Sequence, residues 1–162
     1  MMIVSNTTPL SNFLHLDRFD ILRQMFQTLH IPKAVKYELD IVFAMNLAWQ
    51  QCLSEGLIVV HDIQPTVLLQ QDLVVLHRGE AEALWLCIEH HAQLCLIDDK
   101  DARMVAILNG IKTSGTLSVL IQAKQRGMIA TVQPFMDTLR NQHHFWISPA
   151  MYAKVLALSH EQ

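Results

Sequence analysis

Five side chains with ligand oxygens occupy positions where predicted strands give way to helices. They are Asn6, Glu38, Glu80, Asp98 and Asp99. Carboxylates that cluster without a counterion disfavour their own charged forms, and hard divalent cations take oxygen ligands. If these side chains converge at one edge of a sheet, they predict a divalent-metal site in which Asn6 supplies an uncharged oxygen.

Apolar periodicity and punctuation by glycine and proline predict the elements that would position these residues. Strands are predicted at residues 1–4, 57–60, 94–97 and 111–113, and helices after Asn6 and at 16–29, from 32 towards Gly56, 80–91, 99–108, 117–126, 132–140 and 149–158. Residues 64–76 are ambiguous and suit a short helix. Alternating strands and helices predict an α/β fold whose parallel sheet is covered on both faces and binds ligands beyond the carboxyl ends of its strands.

Two pairs of acids pose a choice of which member faces the site. Glu80 is preferred to Glu82 because residues two apart on a helix point to roughly opposite faces. Asp98 and Asp99 stay alternatives, since one could ligate the metal while the other caps the following helix. Each candidate also has a plainer interpretation as a turn residue, a helix cap or a surface charge. Three more side chains could assist the metal's waters or phosphate: Thr7, Asp101 and Thr116.

Length and composition favour one domain that associates with itself. The 162 residues suffice for a single domain over 1–162, with a C-terminal helical extension at about 132–162. The hydrophobic fraction is 51% and the charged fraction 17%, which leaves few charges to solvate the surface. We therefore expect a homodimer or a higher homo-oligomer.

The formal net charge of -3 argues against a general nucleic-acid binder, whose surface is strongly basic. A local basic rim is compatible with it. Lys36, Lys100 and Arg103 lie within a few residues of the candidate acids and are the predicted contacts to a nucleic acid.

Other chemistries find little support in the sequence. The three cysteines contain no C-x-x-C pair, and adjacent histidines cannot present both rings on one helix face, so zinc and a disulfide framework are not indicated. No basic leader precedes an apolar stretch, and polar residues interrupt every apolar run well before membrane-spanning length. We expect a cytoplasmic protein without a membrane segment.

Several landmarks recur in a fixed order along the chain. They are Ile3 to Leu10, Ile31–Pro32 leading to Glu38, the GEAEA stretch at 79–83, Leu96–Asp99 with Ala102–Arg103, and Gly115–Leu117 with Ala123–Lys124 and Gly127. In order and spacing they resemble the PIN domain, the compact nuclease fold shared by VapC-type toxins. The resemblance spans nearly the whole chain. It is strongest to an uncharacterised branch of predicted nucleic-acid-binding proteins with GEAEA-like and DD-like motifs.

This resemblance implies a three-layer α/β/α fold around a mainly parallel five-stranded sheet. It implies Mg²⁺ or Mn²⁺ held by the five oxygen-bearing residues, and hydrolysis of RNA in which Glu38, Glu80, Asp98 and Asp99 are the catalytic carboxylates. It also implies a toxin held inactive by a small antitoxin protein. Where the family usually has Asp, this chain has Asn6, whose amide oxygen ligates without charge, so we expect weaker metal binding and weaker activity.

Two other classes of function compete with a nuclease. A catalytically silent module that binds RNA or a protein partner is favoured by Asn6. A receiver-like or phosphatase domain also binds Mg²⁺ through acids near a strand end, but it needs a carboxylate nucleophile on an early strand, where this chain has an amide. Neither a G-x-G-x-x-G nor a P-loop pattern occurs, so nucleotide-cofactor binding has no support.

Overall fold

A sheet of five parallel strands forms the centre of the protein in a computed structural model that describes residues 2–64, 66 and 74–161. The strands are β1 Ile3–Ser5, β2 Leu29–Pro32, β3 Ile58–His61, β4 Leu94–Leu96 and β5 Thr113–Ser114, in the spatial order β3-β2-β1-β4-β5. Every strand pair is parallel. The predicted α/β fold with a mainly parallel five-stranded sheet is confirmed.

Helices cover both faces of this sheet. They are α1 Thr7–His15, α2 Phe19–Phe26, α3 Lys33–Phe43, α4 Leu47–Ser54, α5 Arg78–Glu89, α6 Lys100–Leu108, α7 Thr116–Gln125, α8 Gln133–Gln142 and α9 Pro149–Leu158. Among the described residues, no helix has the length and apolar character needed to cross a bilayer.

Alternation along the strands separates two hydrophobic cores. Consecutive side chains of a strand point to opposite faces, so Ile3 and Leu96 join one core while Val4 and Cys95 join the other. The first core is built with α1 to α4 and α7 to α9, and the second with α5 and α6. The fold therefore has three layers.

The register of the strands sets where the candidate residues emerge. Ser5 pairs with Leu96, and Leu96 pairs with Ser114, so β1, β4 and β5 end side by side. The backbone N–H of Asn6 continues the ladder by donating to the carbonyl of Leu96 at 3.1 Å. Asn6, the two aspartates after β4 and the start of α7 consequently share one edge of the sheet.

Two predicted elements differ from the structure. The helix predicted at 16–29 is wrong at its end, because α2 stops at Phe26 and Leu29 begins β2. A strand buried on both faces is a short apolar run in the sequence. The apolar Leu29 at the start of β2 happens to continue the helical spacing of α2, so the predicted helix was too long. The helix predicted from residue 32 begins at Lys33 and divides at Asn46, whose side chain caps α4 by accepting from the Trp49 N–H at 3.0 Å. The ambiguous segment at 64–76 falls mostly outside the described residues.

The C-terminal helices are fastened to the body by an acidic side chain. Glu161 accepts hydrogen bonds from the ammonium of Lys124 at 2.9 Å and from the backbone N–H groups of Val132 at 2.6 Å and Gln133 at 3.0 Å. Val155 of α9 is buried in the first core. The chain beyond α7 therefore packs on the same core as the sheet.

A pair of histidines lies on neighbouring strands. Nδ1 of His30 and Nε2 of His61 are 2.9 Å apart, which fits one hydrogen bond between two neutral rings. Burial lowers the pKa of both histidines, and the nearby His61 and His90 rings lower it further for His30 and His61 respectively. The carboxylate of Glu89 partly opposes the shift at His61.

We predict that this pair makes stability depend on pH. The unfolded histidines take up protons near their ordinary pKa of about 6.5, whereas the folded ones resist protonation, so the free energy of unfolding falls as pH drops below that value. Denaturant titrations at neutral and mildly acidic pH should show a smaller loss for His61→Gln than for the wild type. The exposed His91 provides a control, since His91→Asn should lose as much as the wild type. An equal loss in all three proteins contradicts the prediction.

Candidate metal centre

The side chain of Asn6 is buried at the sheet edge, with its oxygen unpaired in the part of the chain that the structure describes. Its side chain is 1% exposed, forms no capping hydrogen bond at the start of α1, and leaves Oδ1 without a partner among the described residues. A buried acceptor without a donor is costly, so such atoms are rare in folded proteins. The plain interpretation as a turn or cap residue does not account for Asn6, whereas a bound cation would.

Glu38 is held in place from two sides. The hydroxyl of Thr7 donates a hydrogen bond to Oε2 of Glu38. On the other side the carboxylate lies against Gly79 so closely that a Cβ at that position would be 2.7 Å from Oε1. The glycine of the GEAEA stretch therefore makes room for the acid of α3.

Glu80 shares a cavity with these residues. The cavity has a volume of about 360 Å³, and Asn6, Glu38 and Glu80 are among its lining residues. Oε2 of Glu80 accepts a hydrogen bond from the His77 N–H at 3.1 Å, as an acid in a first helical turn often does. Burial raises the pKa of Glu80, and the charges of Asp99 and Glu38 add to the increase. Glu80 is thus electrostatically coupled to acids from two other elements.

Glu82 is not among the residues that line this cavity, and the preference for Glu80 as a ligand stays a prediction. Glu82 is 4% exposed, and its Oε1 pairs with Nε of Arg78 at 2.7 Å. Glu82 is therefore the more buried of the two acids, whereas Glu80 is half-buried, which the sequence analysis did not anticipate. The salt bridge to Arg78 explains how the burial of Glu82 is tolerated.

The two adjacent aspartates have different environments. Asp99 caps α6, because its Oδ1 accepts a hydrogen bond from the Ala102 N–H at 2.8 Å. Asp98 turns towards α7, where Oδ1 accepts from the Thr116 N–H at 2.7 Å and Oδ2 from the Thr116 hydroxyl at 2.5 Å. Asp99 is the member whose charge acts on Glu80, and Asp98 lines a different cavity.

Asn12 orients the Thr116 hydroxyl that donates to Asp98, and the sequence analysis did not identify it. Its Nδ2 donates a hydrogen bond to Oγ1 of Thr116 at 3.0 Å, which leaves the hydroxyl proton free for Asp98. Burial raises the pKa of Asp98, while the Thr116 hydrogen bonds and the charge of Arg103 oppose the increase. A polar residue between the buried Leu10 and Phe13 of α1 was the available signal.

The remaining candidates lie around the edge rather than in the cavity of Asn6. Asp101 and Lys100 are exposed at the start of α6. Lys36 forms an ion pair with Asp40 one turn further along α3. Arg103 turns inward, and its Nη2 donates to the carbonyl of Ile97 at 2.8 Å. Their predicted contacts to nucleic acid stay predictions.

The donor set around the first cavity fits a hard cation. An amide oxygen without a partner and two carboxylates are oxygen ligands of the kind that Mg²⁺ and Mn²⁺ accept, and Mg²⁺ keeps several waters besides. In the described ranges, no three His, Cys, Asp or Glu side chains are grouped closely enough to hold an ion by themselves. The Asn6 oxygen and bound water would therefore have to complete the coordination.

Comparison with known families agrees with this geometry. Residues 2–161 match the family described as PIN domain, and the chain therefore belongs to the PIN-domain family. The match confirms the resemblance and the three-layer fold. PIN domains generally use divalent metal ions, and membership indicates a nuclease-type fold. No curated protein and no solved structure matches the chain.

Gly79→Ala should separate fold stability from metal affinity. The new methyl group would displace the carboxylate of Glu38 and no backbone atom, and alanine is a better helix former than glycine. We expect unchanged or higher stability without metal, together with at least tenfold weaker Mn²⁺ binding. Thermal unfolding at increasing Mn²⁺ concentration measures the stability without metal and the affinity for Mn²⁺. Glu38→Gln is the reference variant, because it removes the carboxylate charge while leaving Gly79 unchanged. Wild-type stabilisation by Mn²⁺ in Gly79→Ala would exclude Glu38 as a ligand.

Proposed function

We propose that this PIN domain is a Mg²⁺- or Mn²⁺-dependent endoribonuclease. The supporting observation is that Asn6, Glu38 and Glu80 line one cavity at the edge where β1 ends, and that the buried Oδ1 of Asn6 has no hydrogen-bond partner among the described residues. The coupling of Asp99 to Glu80 adds a fourth element to the same edge. Family membership supplies the nuclease class.

The bound cation would lower the pKa of an attacking water and neutralise charge on the phosphate oxygens. Asn6, Glu38, Glu80 and Asp99 are the residues that would hold it. Thr7 fixes the orientation of Glu38, and Thr116 fixes that of Asp98 beside the next strand. In the hydrolysis, the water oxygen bonds to phosphorus, the ester P–O bond breaks, and the departing ribose oxygen takes up a proton.

Asn6 supports a second candidate function. A neutral amide in place of a carboxylate removes one negative charge from the ligand set, so the affinity for a divalent cation falls. A chain that still binds RNA or a protein partner without cutting RNA would be a silent PIN-like module.

The partners proposed for this function are RNA, a second copy of the chain and a small antitoxin protein. An apolar stripe on the outer side of α3 supports a protein partner. Tyr37 and Ile41, one turn apart on α3, are 71% and 69% exposed, and Met45 in the turn after this helix is 91% exposed. The three free, buried cysteines suit the reducing cytoplasm.

The test is cleavage of a single-stranded RNA with Mn²⁺ by the wild type and three variants. Wild-type protein should cut weakly, and Asn6→Asp should cut at least tenfold faster because the added charge tightens metal binding. Glu38→Gln should lose at least about a hundredfold in rate, the order of a single lost electrostatic contact in an active site. The exposed acid of α5 provides a control, since Glu89→Gln should cut like the wild type.

Two results decide between the candidates. If neither the wild type nor Asn6→Asp cuts RNA, and calorimetry detects no Mn²⁺ binding, the ribonuclease proposal is lost. If the protein still binds RNA under those conditions, the chain is a silent RNA-binding module instead.

A further inference from the structure

Asp98 lines a second cavity, of about 390 Å³, that none of the residues around the Asn6 cavity shares. Its walls come from α7 and from the C-terminal extension. The wall side chains that matter here are Leu117, Ile121, Trp146, Met151 and Leu158. We call this cavity the extension groove. It begins at the sheet edge, where Asp98 and Arg103 form its polar end.

Trp146 is the most unusual residue of the extension groove. Its side chain is 81% exposed, although the next residue, Ile147, is 3% exposed and anchors the backbone in the core. An exposed indole contributes little of the stabilising free energy that burial of so large an apolar side chain would give. An aromatic ring exposed beside an open cavity is suited to stack on another flat ring.

Cationic donors with spare capacity accompany this ring. Nε of Arg103 is buried without a hydrogen-bond partner among the described residues, while Nη2 is used by the carbonyl of Ile97. Lys154 is exposed on α9 and forms no ion pair with any residue that the structure describes. The groove thus offers an apolar wall, the ammonium of Lys154, and the guanidinium of Arg103, whose charge the neighbouring Asp98 carboxylate partly offsets.

A nucleotide combines the two features that this groove would recognise. Its base has a flat face for stacking, and its phosphate is an anion for Arg and Lys donors. The two cavities share no lining residue, but both reach the same sheet edge, because β1, β4 and β5 end side by side and Asn6 and Asp98 follow β1 and β4. A peptide could use the apolar wall, but the nearness of the candidate metal centre favours a chain that carries phosphates.

We propose that the extension groove binds one unpaired nucleotide of the RNA, next to the phosphodiester that is cut, with its base stacked on Trp146. Arg103 and Lys154 hold the adjacent phosphate. The choice of RNA as the ligand rests on the proposed ribonuclease function. The test measures RNA binding and needs no cleavage. This assignment makes the C-terminal extension part of the RNA site and restricts the substrate to single strands.

The experiment measures the binding of a fluorescein-labelled octauridylate by anisotropy, with Ca²⁺ in place of Mn²⁺ and with a gel to verify that the RNA stays intact. Trp146→Ala should raise Kd by about 5- to 100-fold, the range for loss of one stacked base. Trp146→Phe should restore most of the affinity. Lys154→Ala should raise Kd and reduce its dependence on salt. Leu108→Ala removes another exposed apolar side chain, at the far end of α6, and should bind like the wild type.

Fold integrity is verified by melting temperature, which truncation of so exposed a side chain should leave unchanged. In protein that cuts RNA, Trp146→Ala should raise KM and keep kcat within about threefold, because stacking binds the ground and transition states alike. That split distinguishes a binding subsite from a structural role.

Several outcomes would overturn the assignment. One is a Kd for Trp146→Ala equal to that of the wild type, and another is a wild type that binds no RNA. A third is sedimentation in which the wild type is a dimer and Trp146→Ala is a monomer. The last result would make the groove a contact between two copies. If Trp146→Ala weakens binding while no protein cuts RNA, the groove assignment stands and the ribonuclease proposal fails.

Discussion

Carboxylates at one edge of a parallel sheet repel one another, and in this chain each is fixed mainly by a neutral donor. A hydroxyl holds Glu38, a backbone N–H holds Glu80 and another holds Asp99, while Asp98 accepts from both kinds of donor on Thr116. Neutral donors orient an acid without cancelling its charge. The edge therefore stays anionic, and a cation can relieve the repulsion that the fold has built in.

The features that the sequence predicted were those with a local cause. Long amphipathic helices and apolar runs before acids located the layers, and four strands and most helix ends follow from them. The strand β2 was harder, because its four residues lie in an apolar stretch with helical spacing and become extended only by pairing with β1 and β3. Pairing between distant segments leaves no mark on either segment alone.

The site shows the same limit at the level of side chains. Sequence placed Glu38 and Glu80 near one edge, but the contact between Glu38 and Gly79 depends on how α3 packs on α5. Asp98 and Asp99 could not be assigned separate partners, since the choice depends on Thr116 reaching back from α7. Arg103 was predicted to contact a nucleic acid from a basic rim, and the sequence did not show that its Nη2 donates to the carbonyl of Ile97.

The hydrogen bonds of Glu161 bear on how the extension behaves as conditions change. Burial acts to raise its carboxyl pKa, but the hydrogen bonds from the Val132 N–H, Lys124 and the Gln133 N–H together lower the pKa below its usual value. With its side chain 8% exposed, its ion pair is also poorly screened by salt. The extension that carries Trp146 should therefore stay packed on the sheet in mild acid and at moderate salt concentration. Weaker ligand binding under those conditions would then report the charges of the ligand and its contacts rather than movement of the extension.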